Sequence, residues 1–117
     1  MELKVIGALA TLGVTGQRAQ HPYEDSASIW ANFGAGSHFF VHVAPTRNLA
    51  GERSFSVLDE RQLEGIRVRH AQYEGGSTHH RFECSGITYN VSGAVPPGSR
   101  DMHAFAASFI RALSCAA

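Results

Sequence analysis

Residues 65–91 read GIRVRHAQYEGGSTHHRFECSGITYNV, and the alternation in this stretch decides the fold. Phe82 and Cys84 alternate with Arg81 and Glu83, and Ile87, Tyr89 and Val91 alternate with Thr88, Asn90 and Ser92. Between the two runs stands Ser85-Gly86, a two-residue loop of the length that favours primed turns, with Gly accepting positive φ. The hairpin so drawn pairs Cys84 with Ile87 and Phe82 with Tyr89. One face is apolar (Phe82, Cys84, Ile87, Tyr89, Val91) and the other polar, as in an antiparallel sheet with one wet face.

The hairpin before it requires a choice of loop. A two-residue Gly75-Gly76 loop would put Ile66 and Val68 on the face opposite Phe82 and Cys84, because a one-residue slip flips every side chain. A three-residue loop, Gly75-Gly76-Ser77, restores the match. It predicts Val68 opposite Cys84, His70 opposite Phe82 and Gln72 opposite His80. The polar face then carries Arg67, Arg69 and Arg81, with Arg69 opposite Glu83. This mildly basic strip reads either as solvated sheet surface or as a site for an anion or acidic partner.

Working outward, the chain has 117 residues, the size of one domain, with 17% charged residues and no net charge when His is neutral. That balance gives no electrostatic footprint for nucleic acid or an acidic membrane surface. No apolar run approaches the roughly 18 residues of a membrane span. Residues 1–16 (MELKVIGALATLGVTG) place Lys4 before an apolar run and small residues after it. This is the outline of a short secretory signal, and equally of a buried first strand or helix. The signal implies a secreted or periplasmic protein; the buried element leaves a cytoplasmic one open. Residues 17–25 read as a linker and 26–117 as the folded domain.

Ser26–Phe33 and His38–Ala44 are expected strands around Gly34-Ala35-Gly36, pairing Trp30 with Phe40, Asn32 with His38 and Ser28 with His42. Pro45–Arg53 reads as a loop, Ser54–Leu58 as a short strand and Asp59–Glu64 as a charged turn. After the Gly93–Ser99 loop, Met102, Phe105, Ala106, Phe109, Ile110 and Leu113 recur at helical spacing, with Ser99 as the cap and His103, Ser108 and Arg111 outward. The expected fold is α+β: an antiparallel sheet of about five or six strands with the C-terminal helix on its apolar face.

The two cysteines suit one disulfide. Cys84 lies beside the Ser85-Gly86 turn. The last strand leaves that turn for about 20 Å at 3.3 Å per residue. The helix then returns about 24 Å at 1.5 Å per residue, which brings its C-terminus near Cys84, though Cys115 falls off the main apolar stripe and two free thiols are the alternative reading.

The segments GITYNVSG (86–93) and AFAASFI (104–110) resemble two groups of bacterial exported domains. One is the extracytoplasmic domains of anti-sigma and related proteins; the other is the PsbP-like group of small lipoproteins, a sheet backed by helices. The resemblance covers about a third of the chain and implies a binding or accessory domain. It departs at the start, where Gln17 stands in place of a lipidated Cys.

No phosphate-binding loop, dinucleotide fingerprint, nucleophile elbow or paired catalytic carboxylates is present, so no cofactor is implied. The seven His are the chemical candidates. His79 and His80 point to opposite faces of a strand, and His70 and His80 fall on the helix side. His38 and His42 flank Trp30 and Phe40 on the reverse face, where an exposed aromatic pair would be a recognition patch. The expectation is a non-enzymatic exported domain binding a protein or a small apolar ligand, with a homodimer possible. The alternative is a small enzyme or metal-binding protein built on His. A groove lined by His70, His80 and a carboxylate would favour it.

Overall fold

The computed structural model describes residues 2–19, 26–49 and 54–115. The elements, in order, are α1 (Glu2–Thr11), β1 (Gln17–Ala19), β2 (Ala27–Asn32), β3 (His38–Pro45), a 3-10 turn (Thr46–Leu49), β4 (Phe55–Leu63), β5 (Ile66–Tyr73), β6 (Thr78–Cys84), β7 (Ile87–Gly93) and α2 (Met102–Ala112). Among the described residues the strands form one antiparallel sheet of seven, ordered β1-β2-β3-β7-β6-β5-β4. Two consecutive meanders, β1–β3 and β4–β7, therefore meet at a single β3/β7 seam. At one end of that seam Gly93 has φ 93°, and a Cβ there would lie 2.3 Å from the His38 carbonyl oxygen. Only glycine lets the two backbones approach so closely.

The sheet, with seven strands against the expected five or six, differs from expectation at two places. Gln17–Ala19, read as the start of a linker, pairs with β2, while 20–25 lie outside the described residues. Residues 55–63, read as a short strand and a charged turn, are one nine-residue edge strand with an irregularity between Val57 and Asp59. The signal for that hairpin was Glu64-Gly65, both at positive φ (53° and 78°). Glu is an uncommon first residue for a primed turn. Ser85-Gly86 makes the expected turn, with φ 54° and 78°.

The β5–β6 register also differs from expectation. Tyr73 N–H donates to the Ser77 carbonyl at 2.9 Å, so the loop is Glu74-Gly75-Gly76 rather than Gly75-Gly76-Ser77. Moving the loop by one residue slips the partners by two, which keeps every side chain on its expected face. His70 now opposes His80, Gln72 opposes Thr78, and Arg69 opposes Arg81 instead of Glu83. The other two predicted hairpins have the expected pairs, including Trp30↔Phe40, Asn32↔His38, Ser28↔His42, Phe82↔Tyr89 and Cys84↔Ile87.

α2 lies on the apolar face, with Met102, Phe105, Ala106, Phe109, Ile110 and Leu113 all buried. Phe105 meets Phe39 edge-on at 5.1 Å between centroids, and Phe109 meets Phe82 and Tyr89 edge-on. Asp101 caps the helix in place of Ser99, accepting from the Ala104 N–H at 2.8 Å. That hydrogen bond holds its carboxyl below the usual carboxylate range. α1 shares this face. Val5 and Leu9 are fully buried in the same core as Ile29, Phe39 and α2. α1, within the stretch that read as a signal or a first buried element, packs against this core.

At its C-terminus α2 ends in a Schellman motif. Ser114 takes φ 57°, Ser114 N–H donates to the Arg111 carbonyl, and Cys115 N–H donates to that of Ile110. The left-handed residue swings Cys115 off the helix axis onto the sheet, where it forms a disulfide with Cys84 across a Cα–Cα distance of 5.7 Å. No helix among the described residues is long and apolar enough to cross a membrane.

Candidate functional site on the uncovered sheet face

Both helices lie on one face of the sheet, which leaves the other to side chains of the strands alone over most of its described extent. Register places one continuous polar row across that face: Ser28 on β2, His42 on β3, Asn90 on β7, Arg81 on β6, Arg69 on β5 and Glu60 on β4. Ser28 Oγ and His42 Nδ1 are 3.0 Å apart. Thr46, on the 3-10 turn, reaches back to Thr88 with the two hydroxyl oxygens 2.8 Å apart.

Two clefts open on this face. The first, about 400 Å³, is lined by Phe40, His42, Tyr73, His79, Asn90 and Ser92 among others. Asn90 is among the lining residues, 9% exposed, and its buried Oδ1 has no hydrogen-bond partner among the described residues. An unsatisfied buried carbonyl in a folded protein calls for a water or a ligand donor. Phe40 stands at the rim, 46% exposed. The rings of Tyr73 and His79 stack at 4.4 Å, and Phe55 packs edge-on against both. The second cleft, about 440 Å³, is lined by Arg67, Arg69 and Arg81 with Thr46, Phe55, Glu83 and Thr88. Phe55 is common to its wall and to the aromatic stack of the first, so the clefts are neighbours.

The expected patch residues are therefore brought together. Trp30 is half-buried and outside the helix layer, with His38 at 6.3 Å, and His38 lies 6.4 Å from Phe40. Arg67, Arg69 and Arg81 share the second cleft, which is contiguous with the first, although they were read as a separate strip. Asn90, Tyr73 and Phe55 were not singled out, and His79 was weighed only as a possible metal ligand. For Asn90 the signal existed: an amide on the central strand of a seven-stranded sheet has little access to water.

His70, His80 and His103 lie on the opposite, helix-covered face. His70 and His80 stack at 4.4 Å, and His103 meets His80 edge-on at 4.7 Å. His103 Nε2 lies 3.5 Å from Asp59 Oδ2. His103, expected on the outer side of the helix, is instead packed into this cluster because the nine-residue β4 brings Asp59 under it. Among the described residues no three His, Cys, Asp or Glu side chains are arranged to hold a metal ion. His80 is 8% exposed. Its burial pushes its imidazole down to about 4, with His70, His103 and His79 adding to the effect and Asp59 opposing it.

This shift has a stability consequence with a definite sign. The unfolded chain takes up the His80 proton near 6.5 and the folded chain only near 4. Between those values unfolding is accompanied by proton uptake, so stability is complete above about 6.5 and falls as pH falls toward 4. The expected loss across that window is about 2–3 kcal/mol. Urea melts at pH 7.5 and pH 4 check it. His80→Phe, which keeps a ring in the stack, should flatten the difference, and equal pH dependence in both proteins would remove His80 as the cause.

No family model, curated protein or solved structure matches this chain.

Proposed function

We propose that this protein is a non-enzymatic binding domain that holds a small, ring-bearing molecule on the uncovered sheet face. The observation that carries the reading is a cleft walled by Phe40, Tyr73 and His79 and lined also by Asn90, whose buried Oδ1 has no hydrogen-bond partner. Small-molecule sites combine apolar and aromatic walls with a few placed polar groups, and this cleft has that composition. The disulfide supports a location in an oxidising compartment, where such a bridge persists. His70, His80, His103 and Asp59 would suit acid–base chemistry. They are packed ring against ring, however, and line neither cleft of the uncovered face.

A panel of neutral aromatic amides, with 2-naphthamide first, tests the reading, since each carries a ring for Phe40 and an N–H for Asn90. Amide signals of Phe40, His42 and Asn90 are expected to shift on titration while those of α2 stay still. Asn90→Leu and Phe40→Ala should each weaken the affinity about tenfold. Silence of this face toward the whole panel, together with a native mass spectrum of the protein from its own host showing no bound organic molecule, would overturn it. A concentration-dependent dimer that Phe40→Ala dissociates would instead assign the face to a second copy of the chain.

A further inference from the structure

We infer that α2 is a pH-operated flap: acid frees its N-terminal half from the sheet, while the Cys84–Cys115 bridge holds its C-terminal end in place.

Three observations point to it. First, the seam beneath the start of α2 is built of imidazoles. His70 on β5, His80 on β6 and His103 in the first turn of α2 pack against one another, with centroids 4.4 Å apart for His70 and His80 and 4.7 Å apart for His80 and His103. Nε2 of His80 and Nε2 of His103 are buried and make no hydrogen bond among the described residues. Neutral rings tolerate this arrangement. A protonated imidazole has two N–H donors to satisfy, and a charged donor buried without a partner is strongly unfavourable.

Second, the carboxylates beside the cluster are already matched. Among the described residues the charged groups packed around it are Asp59 and Arg61 on β4 and Arg100 and Asp101 just before α2, and His79 on the reverse side of β6 adds a further imidazole. Asp59 Oδ2 lies 3.5 Å from His103 Nε2, but it accepts a hydrogen bond from Arg61 Nε at 3.1 Å. Asp101 accepts from the Ala104 N–H and lies 3.6 Å from Arg100. A cation on His103 also falls at the positive end of the helix dipole. Three imidazoles that acid charges together therefore face two carboxylates that arginines already hold.

Third, the two ends of α2 are held unequally. Its C-terminal end is bridged to Cys84, and Arg111 bonds Glu64. Its N-terminal end follows the 94–101 connection, where Gly98 is exposed and takes φ 92°. Backbone bonds from Ala94 to His38 and from Ser99 to Pro96 lie within that connection. Exposed segments of this kind open more readily than paired strands. Lifting the first half of α2 bares Met102 and Phe105, together with Phe39 beneath them.

In the lifted state His80 is in water and takes up its proton near 6.5, whereas the packed ring does so only near 4. Opening is then accompanied by proton uptake between those values, and the open population rises about 30-fold from pH 7.5 to pH 5.

Amide hydrogen exchange of the disulfide-bonded protein at pH 7.5 and pH 5, with each rate corrected for its intrinsic chemistry, is the test. Protection of Phe105, Ala106 and Ala107 is expected to fall about 30-fold at the lower pH, and to stay below that of Leu113 and of Val91 in β7. Dilute urea should leave exchange at the first three amides nearly unchanged, because the flap exposes little surface. It should hasten exchange at Val91, which waits for global unfolding. His80→Phe keeps a ring in the stack and takes up no proton, so the three amides should be equally protected at both pH values. Should that variant fail to fold, the pattern of protection and urea dependence in the native protein decides the matter. Exchange at Phe105, Ala106 and Ala107 that matches Val91 in rate and urea dependence means that only whole-chain unfolding opens the seam, and it overturns the flap. Protection of these three amides that does not change with pH overturns it too. A local loss that persists in His80→Phe does the same.

Discussion

Phe109→Ala is expected to lower the free energy of unfolding by about 3–5 kcal/mol. The ring has no exposure to solvent, stacks on Phe105 at 5.8 Å and meets the edges of Phe82 and Tyr89, each at 6.1 Å. It is thus the point at which α2 contacts the centre of the sheet. Its neighbours belong to hydrogen-bonded strands, so the space left behind closes only in part, and the cavity adds to the lost transfer free energy. Arg111→Ala on the same helix is the control. Arg111 bonds Glu64 at the surface, and exposed pairs of this kind are worth about 1 kcal/mol or less. Urea unfolding of both variants gives the comparison, and losses of similar size would mean that the buried stripe of α2 has been misplaced.

Loss of the Cys84–Cys115 bridge is the second large effect. The sulfurs close a loop with a sequence separation of 31, for which the chain-entropy account gives about 3–4 kcal/mol. The loop contains β7, the 93–101 connection and all of α2. Its closure therefore restricts the part of the unfolded chain that must find the sheet. Thermal melts with and without reductant, and of a Cys84→Ala/Cys115→Ala variant, should show matching losses. Intact mass after alkylation settles the bond itself: two thiols modified in the unfolded protein before any reductant is added would mean that no bridge exists.

Much of this architecture was legible because it is written locally. Ser85-Gly86 and Gly34-Ala35-Gly36 fix their hairpins through turn chemistry, and the spacing from Met102 to Leu113 fixes the buried face of α2. The face of every residue on β5 and β6 was also legible, since parity survives an error of two in register. The partners were not. Gly75-Gly76 offers several loops that differ by one residue, and nothing in the local sequence chooses among them, so the juxtaposition of Arg69 with Arg81 was hidden. β4 was hidden for a different reason. Its pattern, FSVLDERQL, is polar on both sides because it is an edge strand, and edge strands carry charges that resemble a turn. The His103 contact was lost with it, because Asp59 reaches the helix only if β4 runs the full length of β5. Of the candidate site, Trp30 and Phe40 could be read from pairing alone. Asn90 could not, because its burial depends on a seam between two segments far apart in sequence.

That seam ties occupancy of the face to the integrity of the sheet. β3 and β7 are the sole strand pair joining the 17–45 half of the sheet to the 55–93 half among the described residues. The first cleft straddles the joint, taking Phe40 and His42 from one half and Tyr73, His79 and Asn90 from the other. Anything seated there grips both halves, and its binding free energy adds to the strength of the joint in the proportion that mass action sets. The guest is then also a fastener: emptying the cleft and loosening the two meanders are opposite ends of one equilibrium.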